Sequence, residues 1–136
     1  MDDQEQVNVT FPARPEFVSV ARLTAATIAA RRGFTYDEIE DLKIAVGEAC
    51  TSLLVPGTTG THPMTVRFLL GDHALEVHVE AKGPPLPVLP RSGRKAATPL
   101  DGTGLGVFLM QCLVDEVETR HDAATGTTRL RLVKRR

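Results

Sequence analysis

Three glycines alternate in Asp101-Gly102-Thr103-Gly104-Leu105-Gly106, and the apolar run Val107-Phe108-Leu109-Met110 follows at once. Glycine tolerates positive φ and lets a backbone come close to a ligand. A helix that starts there presents unpaired N–H groups and the positive end of its dipole. The chemistry this spacing suits is anion binding, with phosphate the usual occupant. A glycine-rich cap packed against a neighbouring element is the plain alternative. Glu48 and Ser52 lie four apart on an expected helix, so they stack along one edge of it. Arg22 stands among small side chains on another expected helix, either on a solvated face or as the anchor of a docking surface. His62, His73, His78 and His121 are scattered and suggest no zinc site. Cys50 and Cys112 lack metal-type spacing and read as buried, reduced thiols.

Composition narrows the class. A chain of 136 residues suits one domain able to bury about 70% of its unfolded surface. Sixteen basic residues against seventeen acidic ones give no field that points to nucleic acid or membrane. No apolar run reaches the ~18 residues of a membrane span, and the start Met1-Asp2-Asp3 is acidic where a signal peptide is basic. A cytoplasmic protein is expected.

The elements that must position these residues follow in order. Residues 6–11 alternate, with Val7, Val9 and Phe11 on one side of a strand. Pro15 suits the first turn of a helix whose inner face is expected to hold Phe17, Val20, Ala21, Thr24 and Ile28. Val18, Arg22, Ala25 and Ala29 fall on its other face, and Gly33 suits the cap. Thr35-Tyr36-Asp37-Glu38 is a capping box opening a helix over about 36–54, with a core stripe of Ile39, Leu42, Val46, Ala49 and Leu53. Strands at 64–70 and 74–81 flank a tight turn, the second with Leu75, Val77 and Val79 inward and Glu76, His78 and Glu80 outward. Residues 82–99 carry five of the nine prolines and read as a long loop, a lid or a binding loop. A helix at 104–113, apolar nearly all round, is expected to be buried. Strands at 116–121 and 127–133 close the chain, with Glu116 and Glu118 opposite Arg129 and Arg131. This order predicts an α+β two-layer sandwich, three helices on one face of a mostly antiparallel sheet. A dinucleotide-binding parallel fold fits poorly, because Val107 stands where the third glycine belongs and no βαβ unit surrounds the motif.

Together these pieces resemble the bacterial anti-sigma serine kinases of the partner-switching type, within the ATPase superfamily of histidine kinases, gyrase and Hsp90. The likeness spans nearly the whole chain. It rests on Val9-Thr10-Phe11-Pro12-Ala13-Arg14, on Ala21-Arg22-Leu23-Thr24, on Asp41 through Thr51 (DLKIAVGEACT), on Gly102-Thr103-Gly104-Leu105-Gly106 and on Asp115-Glu116-Val117. The resemblance implies a histidine-kinase-like ATPase fold occupying 1–136, with a lid at about 84–100. It implies partners, a sigma factor and a STAS-type antagonist, and a homodimer. It implies ATP and Mg2+ as cofactors, Glu48 as general base, and Gly83, Thr103, Gly104, Leu105 and Gly106 at the nucleotide. Arg22 would then lie at the partner-docking surface.

Two features depart from that pattern, at three positions. Ser52 stands where the family places the magnesium-binding Asn, offering a shorter neutral hydroxyl. Ala81 replaces the aspartate that reads adenine, and Pro85 replaces the second glycine after it. A methyl group accepts no hydrogen bond, which would lower affinity roughly 10- to 150-fold. The sequence reading is therefore a regulatory protein that binds a sigma factor, an antagonist or both, with kinase activity and nucleotide binding weak or lost. An active kinase of the antagonist is the alternative, and a stand-alone ATPase domain serving another regulator is a third.

Overall fold

The computed structural model describes residues 5–54, 62–86 and 105–136. Strand β1 (Glu5–Pro12) leads through a short 3-10 turn (Pro15–Phe17) into helices α1 (Val18–Arg31) and α2 (Tyr36–Ser52). Strands β2 (Pro63–Leu70) and β3 (Ala74–Lys82), helix α3 (Leu105–Leu113), and strands β4 (Glu116–Asp122) and β5 (Thr127–Arg135) complete it. The sheet runs β1-β2-β3-β5-β4, and all four pairings are antiparallel. The chain thus has the expected α+β architecture, three helices with one five-stranded sheet.

Local chemistry explains the element ends. Thr35 caps α2: its hydroxyl accepts from the Glu38 N–H at 3.2 Å while Glu38 accepts from the Thr35 N–H at 2.7 Å. Gly33 takes φ +82° after α1, a conformation that side-chained residues resist. The strands alternate as predicted, with Leu75, Val77 and Val79 buried beside Val66, Phe68, Leu130 and Leu132. Val7, Val9 and Phe11 share that inner face, but burial fades from Phe11 (7% exposed) to Val7 (37%) along the edge strand.

Three expectations need correction. The stripe Val18, Ala25 and Ala29 is not a solvated face: all three are buried, and Val20 is exposed instead. With Ala21, these small side chains let α1 and α2 pack closely, so the helix turns its smallest surface toward its neighbour. Helix α3 is not buried all round, since Val107 and Met110 are buried while Leu105 (50%) and Leu109 (37%) are exposed. It packs chiefly along α2 and also meets β4, and hydropathy does not report which side has a neighbour. Cys112 is exposed, unlike Cys50, whose burial pushes its thiol up to about 12. A maleimide or disulfide reagent at neutral pH is accordingly expected to modify Cys112 quickly and Cys50 only on unfolding, as peptide mass mapping would read. Two equally fast sites would contradict this packing.

The open face of the sheet is tied together by Arg131. Its Nε donates to Glu76 at 2.6 Å and its Nη1 to Glu116 at 3.2 Å, with Glu118 at 3.3 Å. Arg129 pairs instead with Glu80 at 3.2 Å, and Arg120 stands opposite it in register, a correction to the expected Glu116/Glu118 partnership. Burial raises the Glu76 carboxyl, but hydrogen bonds from Arg131 and His78 outweigh it and hold it below the usual value. Arg135 and Arg131 lower Glu116 likewise. A carboxylate lowered on folding contributes stability above its unfolded pKa, about 4.3, and loses it as pH falls through the folded value. Urea midpoints should therefore hold steady from neutrality to about pH 5 and fall below about pH 4. Arg131→Met should cost about 1–2 kcal/mol at neutral pH and flatten that acid limb. An unchanged limb would remove the network from the ledger of acid stability.

Candidate functional site

Helix α2 carries Glu48 and Ser52 one turn apart, and the start of α3 comes down on both. A methyl group placed on Gly106 would lie 3.0 Å from Ser52 Oγ and 3.1 Å from Glu48 Oε1. A side chain at this position would crowd the hydroxyl and the carboxylate, so glycine suits the close approach of α3. Glu48 is half-buried, and among the described residues it has neither a hydrogen bond nor an ion pair. Among the described residues, then, nothing competes for its oxygens. Gly106 is brought against Glu48 and Ser52 from far along the chain. Leu105 opens α3 beside them and is exposed. Thr103, Gly104 and most of the lid at 84–100 lie outside the described residues.

At the other end of the sheet, Gly83 follows β3 and donates its N–H to the Gly126 carbonyl at 3.0 Å. Ala81 is buried on the inner face, in register with Thr128 on β5. The Thr128 hydroxyl lies 2.9 Å from the Gly83 carbonyl and 2.8 Å from that of Pro84, so its one hydrogen is shared between them. His121 Nδ1, 2.8 Å away, fits as a donor to the same oxygen when it carries the proton. The polar capacity at this strand end is therefore taken up by the protein's own loop. Thr128 gave no signal in the sequence beyond being a strand threonine.

Glu48 also faces a second feature. A cleft of about 350 Å³ between α1 and α2 is lined by Val18 and Arg22 on one side and by Glu40, Lys43, Ile44, Gly47, Glu48 and Thr51 on the other. Arg22 is exposed and unpaired among the described residues. Its stem runs over Gly47, where an added methyl group would meet Arg22 Cδ at 2.9 Å. Gly47 was not singled out by motif, although a mid-helix glycine, costing about 1 kcal/mol against alanine, was the available signal. A larger hollow of about 710 Å³ lies by the β4–β5 turn, lined by Glu80, Arg120, His121, Asp122 and Arg129 among others, away from Glu48.

Three helices with a five-stranded antiparallel sheet in this order make the fold of a histidine-kinase-like ATPase domain. The chain belongs to the histidine kinase-like ATPase domain family, whose model matches residues 11–134, and within it to the partner-switching anti-sigma serine kinases. It is similar to the serine-protein kinase RsbW of Halalkalibacterium halodurans, 38% identical over 128 residues, covering 88% of this chain and 78% of that one. RsbW of Bacillus licheniformis is 33% identical over 141 residues, covering 96% and 88%. The fold matches a crystal structure of RsbU and RsbW domains from Mycobacterium tuberculosis with TM-score 0.67 and 19% identity, covering 96% of this chain and 32% of that one. The catalytic domain of the histidine kinase ThkA matches at TM-score 0.53 and 11% identity, covering 95% and 97%.

The residues present fit a phosphate-bearing ligand. Gly106 brings the α3 backbone close against Ser52 and Glu48, and α3 is described from Leu105, next to it. Among the described residues no cluster of three or more His, Cys, Asp or Glu is placed to hold a metal. Magnesium bound mainly through phosphates and water needs none.

Proposed function

We propose that this chain is an anti-sigma-type regulator of 1–136 that captures a sigma factor, a STAS-type antagonist or both, and phosphorylates the antagonist slowly or not at all. One observation carries the reading: Glu48 lies at once against Gly106 and in the α1–α2 cleft, so a single carboxylate joins the phosphate end to a protein-facing surface. The serine-protein kinases to which the chain is similar support the class. The weakness of the kinase is inferred from the other end, where Ala81 offers no acceptor and Thr128 is engaged with Gly83 and Pro84.

The chain's own residues would divide the work. Ser52 and the first turn of α3, with Gly83, Thr103 and Gly104, would hold ATP and Mg2+. Bound there, ATP supplies the phosphoryl group that the antagonist's hydroxyl oxygen gains as ADP departs. Glu48 would take that hydroxyl's proton. Arg22 would anchor the partner, and the regulator would work as a cytoplasmic homodimer. An active kinase is the second reading, favoured by a Glu48 carboxylate with no partner among the described residues.

The test combines calorimetric titration with MgATP and MgADP, capture of a sigma factor and a STAS-type antagonist from the source organism, and transfer of labelled phosphate. Capture is expected with wild type and Glu48→Ala alike, alongside weak nucleotide binding and slow labelling that Glu48→Ala removes. Capture of neither partner would refute the regulator. Rapid labelling that needs Glu48 would overturn the weak-kinase part in favour of the active enzyme.

A further inference from the structure

We infer that Gly47 is a positioning residue for partner recognition: its missing side chain is the notch that holds Arg22 across α2, aimed at a carboxylate in the captured protein. The inference rests on the partner-binding part of the reading above and on neither ATP nor catalysis. Arg22 Cδ and Cγ would lie 2.9 and 3.5 Å from a methyl group on Gly47, so the arginine stem occupies the volume a side chain would need. Glycine in the middle of a helix is a costly placement, and no turn or positive φ requires it here. What it gains is a guanidinium whose stem is fixed against the helix while its charge stays unpaired among the described residues. Lys43, the other cation of the cleft, is already paired with Glu40 at 3.3 Å. Arg22 is therefore the cleft's cation without an ion pair among the described residues, although Glu48 lines the same cleft, and its fork suits a carboxylate. Val20, Leu23 and Ile44 are exposed on the same two helices, giving the cation apolar surroundings typical of a protein interface. The occupant these features fit is an acidic segment of a protein partner. Glu48 lines the same cleft, where it would repel a second carboxylate and accept from a hydroxyl of that segment.

A double-mutant cycle tests this, with a STAS-type antagonist and a sigma factor as probes and binding read by calorimetry at several salt concentrations. Arg22→Ala and Gly47→Ala are each expected to weaken capture roughly tenfold, and the double variant no further, because both remove one contact. Both should flatten the salt dependence. Gly47→Ala should keep or raise the thermal midpoint, since alanine is the better helix former, so affinity and stability move in opposite directions. In the free protein, the Arg22 Nε–H signal should be ordered by NMR relaxation in wild type and averaged in Gly47→Ala. Wild-type affinity in Gly47→Ala, losses that multiply in the double variant, or an already averaged Arg22 would each overturn the inference while leaving the regulator standing. No capture by wild type would overturn the regulator, and this inference with it.

Discussion

Ala81→Asp is expected to raise affinity for MgATP about 10- to 150-fold while making the unliganded protein less stable. Both signs come from the same burial. Ala81 is 4% exposed on the inner face and stands in register with Thr128. A carboxylate there has little water, so without ligand it costs at least about 1–3 kcal/mol. Turned toward an adenine amino group, it gains a hydrogen bond to a charged acceptor, worth about 1.5–3 kcal/mol. Adding Ser52→Asn lengthens the reach of the side chain beside Gly106 and should raise affinity further in the presence of magnesium. Calorimetry with MgATP, paired with urea unfolding of the apo-protein, reads the two effects separately. A folded Ala81→Asp protein with unchanged affinity would mean that this strand end does not meet the base. The proposed cause of weak nucleotide use would then move to Pro85 and the loop after it.

Phe68→Ala is expected to lower stability by about 3–5 kcal/mol, much of what a domain of this size has. Phe68 is fully buried at the centre of the inner face, opposite Val77 on β3 and Val7 on β1. The loss combines the transfer of a phenyl group from water with the void it leaves, which close-packed neighbours fill poorly. Leu69→Ala, one residue on and pointing to the other face, should cost far less, so the pair reports the sheet's sidedness. Denaturant melts monitored by circular dichroism would show it, and similar losses at both sites would contradict a single helix-covered face.

The contrast between the two ends of the candidate site explains why its residues were unequally visible from sequence. Glu48 and Ser52 are one helical turn apart, and the 3.6-residue repeat alone places them together. Gly106 was legible as part of a glycine motif, but its closeness to both is a long-range contact made when α3 packs on α2. Thr128 and Gly47 were missed because each matters only through a partner far away in the chain, the Gly83 and Pro84 carbonyls in one case and Arg22 in the other.

The chain's local code is strong. The capping box at Thr35, the glycine after α1, the alternation of β3 and the turns at 71–73 and 123–126 specify the elements and their ends, because they depend on neighbours within a few residues. Those elements in that order were enough for the α+β sandwich. Which side of each helix is covered was decided by packing: α1 turned its alanines inward, α3 left Leu105 and Leu109 outside, and Cys112 stayed exposed. Periodicity says that a helix has an apolar stripe, but when small or apolar residues surround it, only the neighbour that arrives selects the buried face. The meeting of Glu48 with Gly106, and of Arg22 with Gly47, is likewise set by how α1 and α3 flank α2, a geometry no single stretch of sequence encodes.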